Sequence, residues 1–169
     1  MHKLIWNAWA PRKIKIFCWL LSKQRIWCND RLQRRGWPNC YFCQLCLRNL
    51  ETVTHLFWQC NLAREVWQRL ATWNGCDAVD PVRWQPMTNS TLIVAKIISD
   101  TSPVFRKAVN SLILLTLWEI WRERNDCTFR GKVASASQIV SSIRRAIELW
   151  RAVGATNLEP PFGDTLGDM

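Results

Sequence analysis

Residues 43–60 read CQLCLRNLETVTHLFWQC, and the spacing of four side chains in this stretch decides the fold. Cys43 and Cys46 are separated by two residues, His55 follows after eight more, and Cys60 after a further four. Two thiols three positions apart converge on one point from a tight turn, and a helical segment after them can deliver an imidazole and a third thiol to complete a tetrahedron. The pattern predicts one zinc ion held by Cys43, Cys46, His55 and Cys60. Protein would fill all four positions, so the ion would be structural, because hydrolytic zinc keeps a position open for water. The opposing reading, buried free thiols beside a core histidine, suits an isolated Cys or His better than four ligand types at finger-like spacing. Cys40 extends the cysteines to a C-x2-C-x2-C run like part of an iron–sulfur pattern, but that pattern's fourth cysteine and following proline are missing. Cys40 is read as a bystander or a substitute ligand.

Working outward, the sequence predicts helices on both sides. Pro11 opens one that carries Ile14, Phe17, Trp19, Leu20 and Leu21, with Arg12, Lys13 and Lys15 in its first turn. Cations there oppose the helix dipole, which favours an anionic partner for them. Asn29 or Asp30 can cap a short basic helix over Arg31 to Arg35 that Gly36 ends, and Trp37-Pro38-Asn39 forces an extended turn into the cysteines. A short hairpin is expected at Cys43-Gln44-Leu45-Cys46. Thr52 opens the turn carrying His55. Asn61 is expected to cap a helix with Leu62, Val66, Trp67, Leu70 and Trp73 on one face, which Gly75 stops. Residues 76–88 read as a dividing loop, Ser90 to Ile98 as a short helix, and Ser102-Pro103 as the start of a long helix reaching about Phe129. Ser137 opens the last helix, with Ile139, Ile143, Ile147 and Trp150 on one face and Gly154 at its end.

These readings add up to a mostly α fold. A zinc-binding domain over 1–75 is followed by a linker with a short helix over 76–102, a helical extension over 103–155 and a disordered tail over 156–169. The 169 residues suffice to bury a sizeable core, and nearly half of them are apolar. Most of the twelve tryptophans must be buried or stacked. Trp19, Trp67, Trp118, Trp121 and Trp150 recur at helical spacing and are read as core, whereas Trp37 lies on a loop among arginines, where stacking and packing are equally open.

The formal net charge of +10 is uneven: residues 1–60 hold ten Lys or Arg against two acids, and residues 61–169 hold thirteen against eleven. The N-terminal third thus carries the footprint of a polyanion partner, RNA or DNA, although an ordinary solvated basic face has the same composition. Candidate phosphate contacts are Arg12, Lys13, Lys15, Arg31, Arg34 and Arg35, and Trp37 is the candidate for stacking on an unpaired base. No apolar signal-peptide core opens the sequence, and the longest apolar run, Leu112 to Trp118, is too short for a bilayer. A nuclear or cytoplasmic location in a reducing compartment is expected, with neither a membrane nor a small-molecule substrate as partner. Catalysis is not expected. A zinc deaminase would need glutamate two residues after its histidine, where Phe57 stands, and no nucleophile elbow, phosphate loop or HExxH is present.

Further motifs carry a resemblance. Ile5-Trp6, Ala10-Pro11-Arg12-Lys13, Phe17-Cys18-Trp19-Leu20, Asp30-Arg31-Leu32, Arg35-Gly36-Trp37, the two cysteines at 43 and 46, Glu51-Thr52 and His55-Leu56-Phe57 through Cys60 form a specific block over about residues 1–75. The block resembles the zinc-binding domain downstream of reverse transcriptase in plant LINE-type, or non-LTR, retrotransposon polyproteins. Trp118-Glu119-Ile120-Trp121-Arg122-Glu123-Arg124-Asn125 resembles, more loosely, the segment that follows it. The resemblance implies a non-catalytic accessory module that binds zinc and helps a polymerase hold template RNA or target DNA. The chain contains neither the polymerase Tyr/Phe-x-Asp-Asp motif nor a ribonuclease H carboxylate set, and so is expected to be a fragment or domesticated remnant. Cys40 departs from the family's pattern. Two other readings remain beside this one. In the first, zinc fixes a protein-interaction scaffold whose near-neutral helices from 103 to 154 dock on a polymerase or another chain. In the second, the chain is a genomic relic that folds without acting.

Overall fold

The computed structural model describes residues 2–85 and 87–158, and these are mostly helical. Helix α1 spans His2–Asn7, α2 Arg12–Ser22 and α3 Asn29–Arg34. After the cysteine turn come a π-helical turn at His55–Gln59 and α4 over Asn61–Asn74. Helices α5 (Ser90–Asp100), α6 (Arg106–Arg130) and α7 (Ala136–Ala152) complete the order. The tail expected over 156–169 falls outside the described residues from 159 onward.

Helix α6 is the axis of the fold. Every residue from Ala108 to Leu117 is buried, which marks a helix covered on all sides, unlike the one-sided amphipathic helices around it. Helices α1, α2, α5 and α7 pack against it, and α4 lies along α7. One hydrophobic cluster therefore runs from Ile5 to Leu158, with Leu56, Phe57 and Trp67 in the same core as Leu112, Ile113 and Ile147. Three indoles fill the region under α4: Trp58 and Trp67 stack at 5.1 Å and 8°, and Trp84 meets Trp58 edge-on at 5.4 Å and 89°. Trp67 Nε1 donates to the Phe57 carbonyl at 2.8 Å, so its polar atom is satisfied inside the core.

Local signals behave largely as their chemistry dictates. Gly75 and Gly131 end α4 and α6 in the left-handed conformation, at φ 63° and 64°. The Asn89 side chain caps α5, accepting from Thr91 N–H and Leu92 N–H at 2.9 and 3.2 Å. Other boundaries move by a few residues. Pro11 takes the cap position of α2, α6 begins at Arg106 after a turn, and Ser135 rather than Ser137 caps α7. Neither Asn29 nor Asp30 caps α3: Cys28 holds that position, because the Asn29 side chain is engaged in tertiary bonds. Asn61 is the first residue of α4 and makes no cap bond. The stretch expected to be a plain loop at 76–88 contains two 3₁₀ turns, Asp77–Val79 and Pro81–Arg83, and drives Val79 and Trp84 into the core.

Candidate metal centre

The site is built from a turn and a widened helical turn. The hairpin expected at the cysteines is a single antiparallel bridge between Phe42 and Leu50, flanked by Cys43 N–H to Asn49 O at 2.8 Å and Glu51 N–H to Tyr41 O at 2.9 Å. Leu47 N–H donates to Cys43 O at 2.8 Å and closes the tip, which aims Cys43 and Cys46 inward. On the other side, Thr52 Oγ1 accepts from His55 N–H at 3.0 Å and starts the helical segment. Five residues apart on a regular α-helix, His55 and Cys60 would point about 140° away from each other. The π turn brings them together, with Cys60 N–H bonded to His55 O at 2.7 Å.

The ligand atoms of Cys43, Cys46, His55 and Cys60 all lie within 4.8 Å of one another. Cys43 Sγ is 3.9 Å from Cys60 Sγ, and Cys46 Sγ is 3.4 Å from His55 Nε2. A tetrahedral zinc with ordinary bond lengths has S···S edges of about 3.8 Å and S···N edges of about 3.6 Å. Both measured edges match, so the cluster fits one zinc ion. Three of the side chains are buried and Cys46 is half-buried, with no gap in the donor set for water.

Hydrogen bonds and burial shift Cys43, His55 and Cys60 together. The hydrogen bond between Cys43 and Cys60 pushes the Cys43 thiol up to about 12, with burial adding to it, and the same bond holds Cys60 below the ordinary thiol range. Burial opposes charging His55, but hydrogen bonds to Cys43 and Cys46 outweigh it and raise its pKa. A divalent cation held by these groups would displace their protons on binding. The remaining cysteines differ. Burial pushes the Cys18 and Cys28 thiols up, as expected for packing residues. Cys40 is exposed, accepts from Gln44 Nε2 at 2.8 Å, and stands outside the cluster.

Behind the site lies a buried polar lock. Arg124 of α6 donates from Nε and Nη2 to Glu51 at distances down to 2.7 Å, and both side chains are almost wholly buried. Arg124 Nη2 also donates to Asn29 Oδ1 at 2.9 Å. Asn29 N–H donates to Glu51 Oε1 at 2.9 Å, and Asn29 Nδ2 to Phe42 O at 3.1 Å. The lock joins the cysteine turn, the start of α3 and the central helix. Sequence reasoning missed it: Glu51 and Arg124 each sit in a quoted motif, but nothing local pairs two residues 73 positions apart.

The candidate nucleic-acid residues fall into two groups. Arg31, Arg35 and Trp37 gather around Trp27, a residue not singled out from sequence, with Arg34 alongside and paired to Asp30 at 2.9 Å. Arg12, Lys13 and Lys15 stand at the start of α2, where Lys15 Nζ donates to Trp6 O at 3.0 Å and Lys13 lies over Trp118. Of the tryptophans read as core, Trp67 and Trp150 are buried and Trp19, Trp118 and Trp121 pack half-buried against the core.

Fold and site together define a helical module built around a Cys3His zinc centre. Residues 1–67 match the family model described as zinc-binding in reverse transcriptase. An Arabidopsis thaliana protein provisionally named a ribonuclease H protein is 26% identical over 66 residues, 39% of this chain and 11% of that protein. The chain thus spans about a tenth of the length of the curated relative it matches. No solved structure matches. Among the described residues, no helix is long and apolar enough to cross a membrane.

Proposed function

We propose that this chain is a non-catalytic, zinc-stabilised accessory module that binds RNA or DNA through its basic N-terminal third, in the setting of a reverse transcriptase polyprotein. In this reading Cys43, Cys46, His55 and Cys60 hold the ion. The ion crosslinks a turn to a helix and supplies no reaction step. Arg12, Lys13, Lys15, Arg31, Arg34 and Arg35 contact phosphates, and Trp37 stacks on a base. Residues 1–75 are the zinc unit, residues 103–155 a helical extension folded onto it, and residues 76–102 the stretch between. Eight cysteines, none of them in a disulfide, suit a reducing compartment, nucleus or cytoplasm.

The observation that carries the proposal is the excess of ten cations over two acids in residues 1–60, in the same segment as the metal ligands. The family description and the relative's name both belong to nucleic-acid machinery, which supports the same reading. Titrating labelled RNA and DNA at increasing salt tests it. Affinity should fall steeply with salt, and replacing Arg34 and Arg35 together by alanine should weaken binding to every sequence and flatten the salt slope by about one unit per lost contact. Absence of binding at low salt would leave the protein-interaction scaffold in its place.

A further inference from the structure

We propose that Trp27 and Trp37 form a stacking platform that takes unpaired nucleic acid in preference to duplex. This rests on the nucleic-acid reading above and adds the strand state of the ligand and a residue, Trp27, on which the stacking ring of Trp37 is seated. The two rings lie nearly parallel, 21° apart with centroids at 5.1 Å, and both face water, with Trp27 39% and Trp37 49% exposed. The stacked pair Trp58 and Trp67, by contrast, is sealed in the core. The surface pair also carries cations: the Arg31 guanidinium lies 4.4 Å from the Trp27 ring centroid and that of Arg35 5.6 Å.

The platform is held in place before any ligand arrives. Trp37 N–H donates to Leu32 O at 3.1 Å, Asn39 Nδ2 donates to Trp37 O at 2.9 Å, and Asn39 Oδ1 in turn accepts from Tyr41 N–H at 2.8 Å. Trp27 immediately precedes Cys28, which is wholly buried and holds the N-cap position of α3. Both indoles are thus fixed by backbone on either side of a basic helix, so little ordering cost remains for binding. The ligand follows from the charge and the exposed rings. Guanidinium groups beside aromatic faces suit a polyanion whose bases can stack. In a duplex those base faces are already stacked on one another, so only an unpaired strand can use the rings. Arg34, whose exposed pair with Asp30 is readily exchanged, supplies a further phosphate contact.

Fluorescence anisotropy of the full chain at low salt tests this with three labelled probes: oligouridine, oligothymidine and a hairpin duplex of matched length closed by a non-nucleotide linker. The chain should bind at least one unpaired probe more tightly than the hairpin. Trp37→Ala should weaken that binding about 5- to 150-fold, the loss for one stacked base, with hairpin binding and salt slope unchanged. Trp37→Phe should keep most of the affinity. Trp37→Leu, which preserves apolar bulk without a π-face, should lose it while metal content and helicity stay at the wild-type level. If Trp37→Ala and Trp37→Leu weaken all probes equally or none of them, while the Arg34 and Arg35 double variant still loses binding, the platform is overturned and the nucleic-acid reading stands. If the wild-type chain binds no probe, both fall.

Discussion

From Gly36 to Leu50 only Cys43 and Leu45 are buried, whereas in α6 every residue from Ala108 to Leu117 is. The two regions are held by different forces. The helical body has stacked indoles, interleaved aliphatic side chains and a central helix covered on all sides, so burial of apolar surface holds it. The cysteine turn has one β-bridge and a handful of backbone bonds, and its aromatic and aliphatic side chains Tyr41, Phe42, Leu47 and Leu50 face water. Too little apolar surface is buried there to offset the conformational entropy of ordering 15 residues. A metal and a buried ion pair supply what packing does not.

The largest effect should therefore come from taking the metal away. In finger-like peptides zinc binding contributes of the order of 10 kcal/mol to folding. Chelation, or Cys46→Ser or His55→Ala, should unfold residues from about 36 to 50 and leave most of the helical signal, because Leu56, Phe57 and Trp58 are buried in the body's core. Hydrogen exchange with and without chelator is the measurement: amides of the cysteine turn should lose protection while those of α6 keep theirs. Equal loss in both regions would mean that the body also depends on the metal and would break the contrast. Metal content unchanged in a Cys43→Ser, Cys46→Ser double variant would overturn the ligand assignment.

A smaller effect is expected at the seam between the regions. Arg124→Ala leaves Glu51 charged and buried without its partner, which costs about 3–5 kcal/mol. Because Glu51 also accepts from Asn29 N–H, the damage should spread to α3 as well as the cysteine turn. Chemical denaturation would show the loss as a lower midpoint. Arg124→Met with Glu51→Leu should recover much of it, since a buried pair replaced by apolar groups of similar volume is often close to neutral. Failure of the double variant to recover would show that the bonds to Asn29 matter more than the charge balance.

How legible each region was follows the same division. The metal set could be read directly because four rare side chains lie within 18 residues and their spacing states the geometry. Helices α4 and α7 could be read because their apolar positions repeat every three to four residues up to Gly75 and Gly154, and α6 because Ser102-Pro103 precedes an unbroken apolar run. The wide turn at His55–Gln59 could not, since a five-residue ring leaves no mark on an apolar run that suits an α-helix equally well. The Glu51–Arg124 pair was invisible because tertiary approach, not local pattern, makes it. Trp27 was passed over because its partner Trp37 lies ten residues away across a helix, and neither residue shows the other in the sequence.

The smallest expected effect is a gain, and it arises in the cysteine turn, where a strained residue is also an exposed one. Leu47 has φ 54°, in the left-handed region, and its side chain is 68% exposed. An L-residue other than glycine pays about 1–2 kcal/mol there, because its Cβ crowds the following carbonyl. The Leu47 amide still closes the turn onto Cys43 O, so the backbone holds this conformation for the metal site and not for the leucine. Glycine at 47 removes the clash and discards little buried surface, while its greater freedom in the unfolded chain takes back part of the gain. Leu47→Gly should therefore stabilise the metal-loaded chain by at most about 1 kcal/mol and tighten zinc in a chelator competition. A loss of stability would mean that the exposed leucine makes a contact worth more than the strain it causes, and the cysteine turn would then depend on packing as the body does.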